Sequence, residues 1–507
     1  MKRNSRRWWA LGALTLAVLA GGLDGTILSV ALPTLARALS ATQTDLEWFT
    51  SGYLLVMSAA MLPAGLLGDR YGRKKVLAGS LVLFGAGSIA CAFSTSPAAF
   101  IGARVILGLA SSGLIVMALS ALTVLFDEEE RPKAVGVWGA ANFLATPIGP
   151  ILGGWLLTNY WWGWVFLMNV PVVLIGLVAT LLLVPESRPE RRPGIDVPGI
   201  LLSSAGLGVI TYGLIQAGRD GWTSGSTVLP LILGVLILAG FGWWEARAAE
   251  PLVDLALFRS RAFTWGVLLA STGVLAMVGV LFTMPQYFQA VAGTDAMGSG
   301  LRLLPLVAGL VAGAIPADRV AARLGRKLTV AFGFLVEAAA LLIAARTSAG
   351  SSEWFIGGWM AGIGFGMGLA LATAVAAALG ELSAERSGVG SAVMQALQKM
   401  GGPFGAAILG SVLANVYRGQ VSVAGLPAPA AAAVRDSVFA GIVLAGRLHS
   451  AALLGSVRDA FVGGMDAALL ISAGIAFAGM LLALAFLPAR PPAVPVHEVA
   501  KVAAAVP

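Results

Sequence analysis

Apolar residues run through this chain in blocks of about twenty, separated by short stretches where charge, Gly and Pro collect. An α-helix rises about 1.5 Å per residue, so each block is long enough to cross the ~30 Å hydrocarbon layer of a bilayer. The pattern predicts fourteen spans, at about residues 10–32, 46–67, 76–95, 99–122, 134–157, 164–184, 198–217, 227–245, 262–289, 301–321, 328–346, 354–379, 388–414 and 465–487. An even number returns both chain ends to one side. Most of the 33 Lys and Arg fall in loops on that side, which predicts cytoplasmic termini and a multi-pass protein of the cell (inner or plasma) membrane.

The start of the chain, with Lys2-Arg3 and Arg6-Arg7 before an apolar run, has the outline of a secretory signal peptide. That run continues past Gly25 to Leu32, so a retained first span is expected instead. Between about 415 and 464 the apolar pattern weakens, and Arg435, Asp436, Arg447, His449, Arg458 and Asp459 alternate with apolar residues at helical spacing. This outward segment reads as amphipathic, either a lid or hairpin at the mouth or a packed connector. Trp161, Trp162 and Trp164 fit an aromatic belt at the membrane surface.

Arg70-Tyr71-Gly72-Arg73-Lys74 recurs as Arg323-Leu324-Gly325-Arg326-Lys327, each just after an apolar span. The repeat predicts two parallel six-helix halves, 1–184 and 262–487, with two further spans inserted at 185–261 and a short tail at 488–507. A substrate cavity is then expected between the halves, near mid-membrane.

Composition narrows the chemistry. Residues are 58% hydrophobic and 11% charged, against about a quarter charged in soluble domains, and mean hydropathy is +0.87. The net charge of +8 is scattered in short clusters, which argues against nucleic-acid binding. Cys91 is the lone cysteine, and His449 and His497 are far apart, so neither a disulfide, a metal site nor another cofactor is expected. A Gly-rich phosphate loop ending in Lys-Ser/Thr is missing, which leaves an ion gradient as the source of energy. A membrane enzyme would need clustered His, Ser or carboxylate groups at one face, and a sensor would usually add a soluble signalling domain; neither is evident.

Three motifs carry a resemblance. Gly65-Leu66-Leu67-Gly68-Asp69-Arg70-Tyr71-Gly72-Arg73-Lys74-Lys75 joins the second and third spans. It resembles the cytoplasmic gate motif of the major facilitator superfamily, whose Asp stabilises the outward-open state. The second copy departs from it, with Ala322 at the position of Asp69 and Asp318 one turn earlier. In the fifth span, Gly139, Asn142, Pro147, Gly149, Pro150, Gly153 and Gly154 resemble the superfamily's exporter motif. Physically they make a kinked helix that a neighbour can approach closely. Leu23-Asp24-Gly25-Thr26 in the first span and Trp164-Val165-Phe166-Leu167-Met168-Asn169 opening the sixth resemble drug:proton antiporter family 2, the fourteen-span multidrug exporters.

The resemblance implies a secondary transporter that exports small lipophilic or cationic drugs, quaternary-ammonium compounds and antibiotics among them, in exchange for protons. A metabolite symporter or facilitator of the superfamily is the alternative, and the protein is expected to be monomeric. Asp24 is the leading coupling residue, because low dielectric favours the protonated form of a carboxyl and lets it take up and release a proton. Arg104 matches a family arginine that influences proton transfer or holds the bundle. Lys399 and Glu337 are further charges inside predicted spans. Ser51 and Gln395 stand where quaternary-ammonium exporters of this branch tend to carry additional cavity acids, so divalent cations are disfavoured. Gln286 and Gln289, within Met284-Pro285-Gln286-Tyr287-Phe288-Gln289, are expected either in the cavity wall or in an interface belt.

Overall fold

The structure is a computed structural model that describes residues 3–126, 148–186, 196–249, 251–253, 255–380 and 387–488, with the single positions 130, 134 and 145. Among the described residues the chain is helical throughout and has no strand. Thirteen helices there are long and apolar enough to cross a membrane. In chain order the principal helices are α1 (Arg3–Ala38), α2 (Gln43–Tyr71), α3 (Arg73–Ala92), α4 (Pro97–Leu125), α5 (148–159) and α6 (Trp164–Leu183). Next come α7 (Val197–Asp220), α8 (Gly225–Glu245), α9 (Arg261–Val291), α10 (Ala296–Ala314), α11 (Arg326–Ala344) and α12 (Glu353–Leu379). The last are α13 (Ser387–Gln420), α14 (Ala428–Asp436), α15 (Val438–Arg447) and α16 (Ala451–Phe486). The first part of the fifth span, with Gly139, Asn142 and Pro147, lies outside the described residues, as does the tail after 488.

Local chemistry sets many boundaries. Thr42 and Asp45 form a reciprocal capping box that starts α2, with Thr42 N–H donating to Asp45 Oδ2 at 2.8 Å and Asp45 N–H to Thr42 Oγ1 at 3.2 Å. Gly72 ends α2 at φ 112°, and Gly325, its counterpart in the repeat, lies at φ 85° before α11. A side chain is strained at either position, so both copies of the motif need the same glycine for the same backbone reason.

Packing falls into two groups. α2 packs on α4, α3 on α4 and α6, and α1 on α6 and α4; later, α12 packs on α9, α10 and α11, and α16 on α9, α11 and α13. The α10–α12 and α11–α12 contacts are backbone-close: a Cβ on Gly366 would lie 2.6 Å from the Glu337 nitrogen. Small residues therefore supply the adhesion, since lipid provides no hydrophobic drive between apolar helices. α7 and α8 pack on each other, and α7 touches both α2 and α13 at the seam. Asp196 caps α7 by accepting from Gly199 N–H at 3.0 Å, and it accepts at 2.7 Å from Trp244 Nε1 of α8.

The two faces of the bundle differ. α1 begins and α16 ends at one of them, here the terminal face; the turn at 39–42 and the α14–α15 hairpin lie at the other, the distal face. The amphipathic segment predicted at 415–464 divides into three: α13 runs on to Gln420, α14 and α15 form a hairpin, and α16 starts at Ala451 rather than near 465. Ser450 caps α16, and Arg458, Asp459 and Asp466 are carried on an unbroken helix because polar residues do not interrupt backbone hydrogen bonding. The first span likewise continues past 32 through Pro33 to Ala38, and Ser40 then turns the chain at φ 51°.

Candidate functional site

Two fully buried opposite charges of the first helix group meet in one place. Arg104 of α4 donates from Nη1 to Asp24 Oδ2 of α1 at 2.6 Å, and both side chains are essentially inaccessible. Arg104 Nε donates to the Phe49 carbonyl of α2 at 3.1 Å, and its guanidinium lies 4.0 Å from the ring centre of Tyr53. Tyr53 in turn donates to Ser111 Oγ at 3.1 Å. One arginine thus ties three helices together while neutralising the acid, which is the arrangement a buried charge requires. Asp24 Oδ1 is buried without a hydrogen-bond partner among the described residues. That oxygen is where a proton can be added without first breaking a hydrogen bond.

α5 presses against this acid-bearing helix. Thr26, two residues beyond Asp24, donates to the Ala145 carbonyl at 3.1 Å, and added Cβ atoms at Gly149 and Gly153 would strike Thr26 and Ile27. Its other side meets the second helix group: a Cβ on Gly154 would lie 2.6 Å from the Ala296 carbonyl, and one on Gly300 would collide with the Pro150 carbonyl. The described part of the motif, Gly149, Pro150, Gly153 and Gly154, is a close seam between α1 and α10.

The structure places Ser51, Gln286 and Gln289 at packed contacts. Ser51 is buried and donates to the Pro403 carbonyl of α13 at 3.4 Å. Gln286 Nε2 donates to Phe282 O at 2.9 Å within α9, and its Oε1 has no partner among the described residues. Gln289 Nε2 reaches across to the Val30 carbonyl of α1 at 3.1 Å. Tyr287 and Phe288 beside them are both 1% exposed, so this stretch is core and not an interface belt. Trp161 and Trp164, by contrast, are exposed. Lys399 and Gln395 lie four residues apart, on one face of α13, half-buried and without a hydrogen bond among the described residues. Gly402, on the same face, abuts Leu54 of α2, so this face turns toward the first helix group.

At the terminal face, Lys74 is anchored by its Nζ donating to Leu181 O at 2.7 Å and its backbone N–H to Glu186 at 3.3 Å. A Cβ on Gly68 would collide with Met117 of α4, while Gly65 has Val116 at ordinary distance. Arg70 and Arg73 are also engaged with neighbours. The Asp69 side chain lies outside the described residues. In the second copy Asp318 is exposed.

Two buried acids stand apart from this group. Glu337 is wholly buried in α11 with both carboxylate oxygens unpartnered among the described residues. Glu47 of α2 is equally buried, beside Ser411 of α13. Sequence reasoning passed over Glu47 because it opens an apolar block, where an acid is ordinarily at the membrane surface; its neighbour Trp48 and the Thr42 cap five residues earlier were the signals that the helix had already begun. Among the described residues no cluster of His, Cys, Asp and Glu could hold a metal.

The chain matches the family described as Major Facilitator Superfamily over residues 14–406. It is 33% identical to the tetracenomycin C resistance and export protein of Streptomyces glaucescens, over 95% of this chain and 92% of that protein. It is 32% identical to the methyl viologen resistance protein SmvA of Salmonella typhimurium, over 95% of this chain and 97% of that protein. It is 30% identical to the multidrug efflux pump LfrA of Mycolicibacterium smegmatis, over 94% and 96%. Among solved structures, a bacterial homolog of the human lysosomal transporter Spinster, inward-facing and unoccupied, superposes with a TM-score of 0.67 at 18% identity, covering 96% of this chain and 99% of that one.

Proposed function

Because the chain belongs to the Major Facilitator Superfamily, we propose that it is a proton-coupled antiporter that exports lipophilic or cationic drugs by alternating access. The observation that carries this reading is the buried Asp24–Arg104 pair with one carboxylate oxygen left open, backed by relatives named for drug resistance and export over almost their whole length. The halves 1–184 and 262–487 rock against each other, with 185–261 attached to the seam through α7. Both termini face the cytoplasm, as the Lys and Arg distribution requires, so the distal face is the outer one.

Coupling follows from the pair. Ionised Asp24 holds α1 to α4 and α2 through Arg104; a proton on Oδ1 removes the charge that Arg104 neutralises and loosens that tie. Substrate entering from the cytoplasm and a proton entering from outside then favour opposite states of the same three-helix junction. A monocation suits a site in which Gln395 supplies no further acid and Lys399 disfavours a second positive charge.

The test is efflux from energised cells. Wild type is expected to expel a lipophilic cation and to stop when a protonophore is added. Asp24→Asn is expected at the membrane in normal amount, with energised efflux at background. Energised efflux by Asp24→Asn at the wild-type rate would contradict the assignment.

A further inference from the structure

Glu47 lies in a protein-filled junction at the distal end of the seam, where three elements from separate parts of the chain converge. α2 supplies the acid, α13 supplies Ser411 and Gly410, and the inserted α7 supplies Leu214 and Gly218. The fit is tight on each side. A Cβ on Gly410 would lie 2.6 Å from Glu47 Cγ, and a Cβ on Gly218 would lie 2.7 Å from Ser411 Cα.

The hydrogen bonds constrain the form of the acid. Ser411 Oγ is 2.5 Å from the Leu214 carbonyl and 3.4 Å from Glu47 Oε2. A hydroxyl has one hydrogen, and a carbonyl only accepts, so the shorter contact takes it. Ser411 Oγ lies within donating reach of Glu47 Oε2, but with its single hydrogen on the Leu214 carbonyl it leaves that oxygen without a donor. Glu47 Oε1 has no partner among the described residues. An ionised carboxylate so placed would be buried, unpaired and faced by oxygen, which is costly in a low-dielectric interior.

Arg418 is a neighbouring charge whose field favours ionised Glu47, but its guanidinium is engaged elsewhere. Arg418 of α13 donates to Gly218 O at 2.6 Å and to Asp436 of α14 at 3.1 Å. Asp45 of α2 is held in the Thr42 cap. On α7, Asp220 accepts from Ser226 beyond the helix end, Arg219 is exposed, and Tyr212 lies against Trp48.

We propose that Glu47 is a second proton-binding site, a latch that is protonated while α2, α7 and α13 are packed together and ionises when the distal seam opens to water. Closing the seam then requires a proton from the distal side. The latch rests on the halves parting along this seam, and not on drug export or on Asp24.

The test places spin labels at the exposed positions Ala38 and Ala424 of the distal face, as Ala38→Cys and Ala424→Cys, in nanodiscs without substrate. The wild-type background is expected to gain the longer, open distance as pH rises, the open-to-closed ratio changing by up to about ten-fold per pH unit, the limit for one linked proton. Glu47→Gln, neutral and of the same shape, is expected to stay closed across the range. Distances that ignore pH in wild type, or a Glu47→Gln protein that titrates as wild type does, would overturn the latch. Should Glu47→Gln fail to fold, isotope-edited infrared spectra of the unmutated chain decide: a protonated carboxyl band must disappear with the midpoint of opening, and its absence overturns the proposal. Energised efflux by Asp24→Asn at the wild-type rate would sink the assignment of coupling to Asp24 and leave this result untouched.

Discussion

At the residue scale, the chemistry depends on which buried charges have partners. Arg104 is satisfied by Asp24, the Phe49 carbonyl and the Tyr53 ring; remove it and Asp24 is left as a lone charge. Arg104→Met is therefore expected to lower unfolding free energy by about 3–5 kcal/mol, and adding Asp24→Asn to recover most of that loss. Denaturant unfolding in detergent measures both; equal losses in single and double variants would show that the pair is not coupled. Asp24 and Arg104 were legible as candidates because charges inside apolar blocks are rare, but their pairing was not, since nothing in one sequence says which side chains meet across 80 positions. Glu47 was missed for the opposite reason, an acid at the edge of an apolar block having an ordinary explanation. Ser51 illustrates a third limit: motif position put it in a cavity list, and only the fold shows its hydroxyl facing Pro403.

At the element scale, helix contacts are set by glycine. Gly154→Ala would force α5 from α10 at the Ala296 carbonyl, so it is expected to disfavour the closed distal seam and cut efflux, whereas Gly208→Ala, with open space around its Cβ, is expected to behave as wild type. Equal efflux by the two variants would remove the seam argument. The α7 cap offers a pH-dependent test on a group outside the spans. Burial pushes the Asp196 carboxyl up, but donors from Gly199, Trp244 and neighbouring groups outweigh it and hold the acid below its usual range. A lowered folded value means that the stabilisation is present above the unfolded pKa and is lost as pH falls through the folded one. Asp196→Ala is expected to cost about 0.5–2 kcal/mol near neutrality and to flatten the acid limb of the melting profile as pH falls below the ordinary Asp value of about 4; an unchanged acid limb would contradict this. Element positions were largely legible from apolar block length, while their ends were not: α16 runs on from Ala451 through residues whose polarity imitated a loop.

At the scale of the whole molecule, the distal face carries a hairpin that bridges the two helix groups. Tyr417 donates to Val434 O at 2.8 Å, fixing the hairpin to α13, and Arg37 of α1 lies 5.7 Å from the Phe439 ring. Joining Arg37→Cys to Phe439→Cys with a short bifunctional thiol reagent is expected to halt efflux, and a cleavable reagent to restore it on reduction; Cys91 is buried and does not compete. The repeat around Gly72 and Gly325 is the sequence signal that predicts two halves, and both glycines hold a positive φ. What sequence could not show is where the inserted pair attaches, because α7 meets the seam through Gly218 and Leu214, residues with no distinctive pattern.

The central claim, exchange of drug for protons through Asp24, is tested most directly in proteoliposomes with an imposed pH gradient, a lumenal pH dye and a panel of lipophilic monocations and neutral antibiotics. The account predicts substrate-dependent proton movement across the membrane for wild type and none for Asp24→Asn reconstituted at equal density. Substrate flux in wild type without proton movement, or proton movement undiminished in Asp24→Asn, would contradict it.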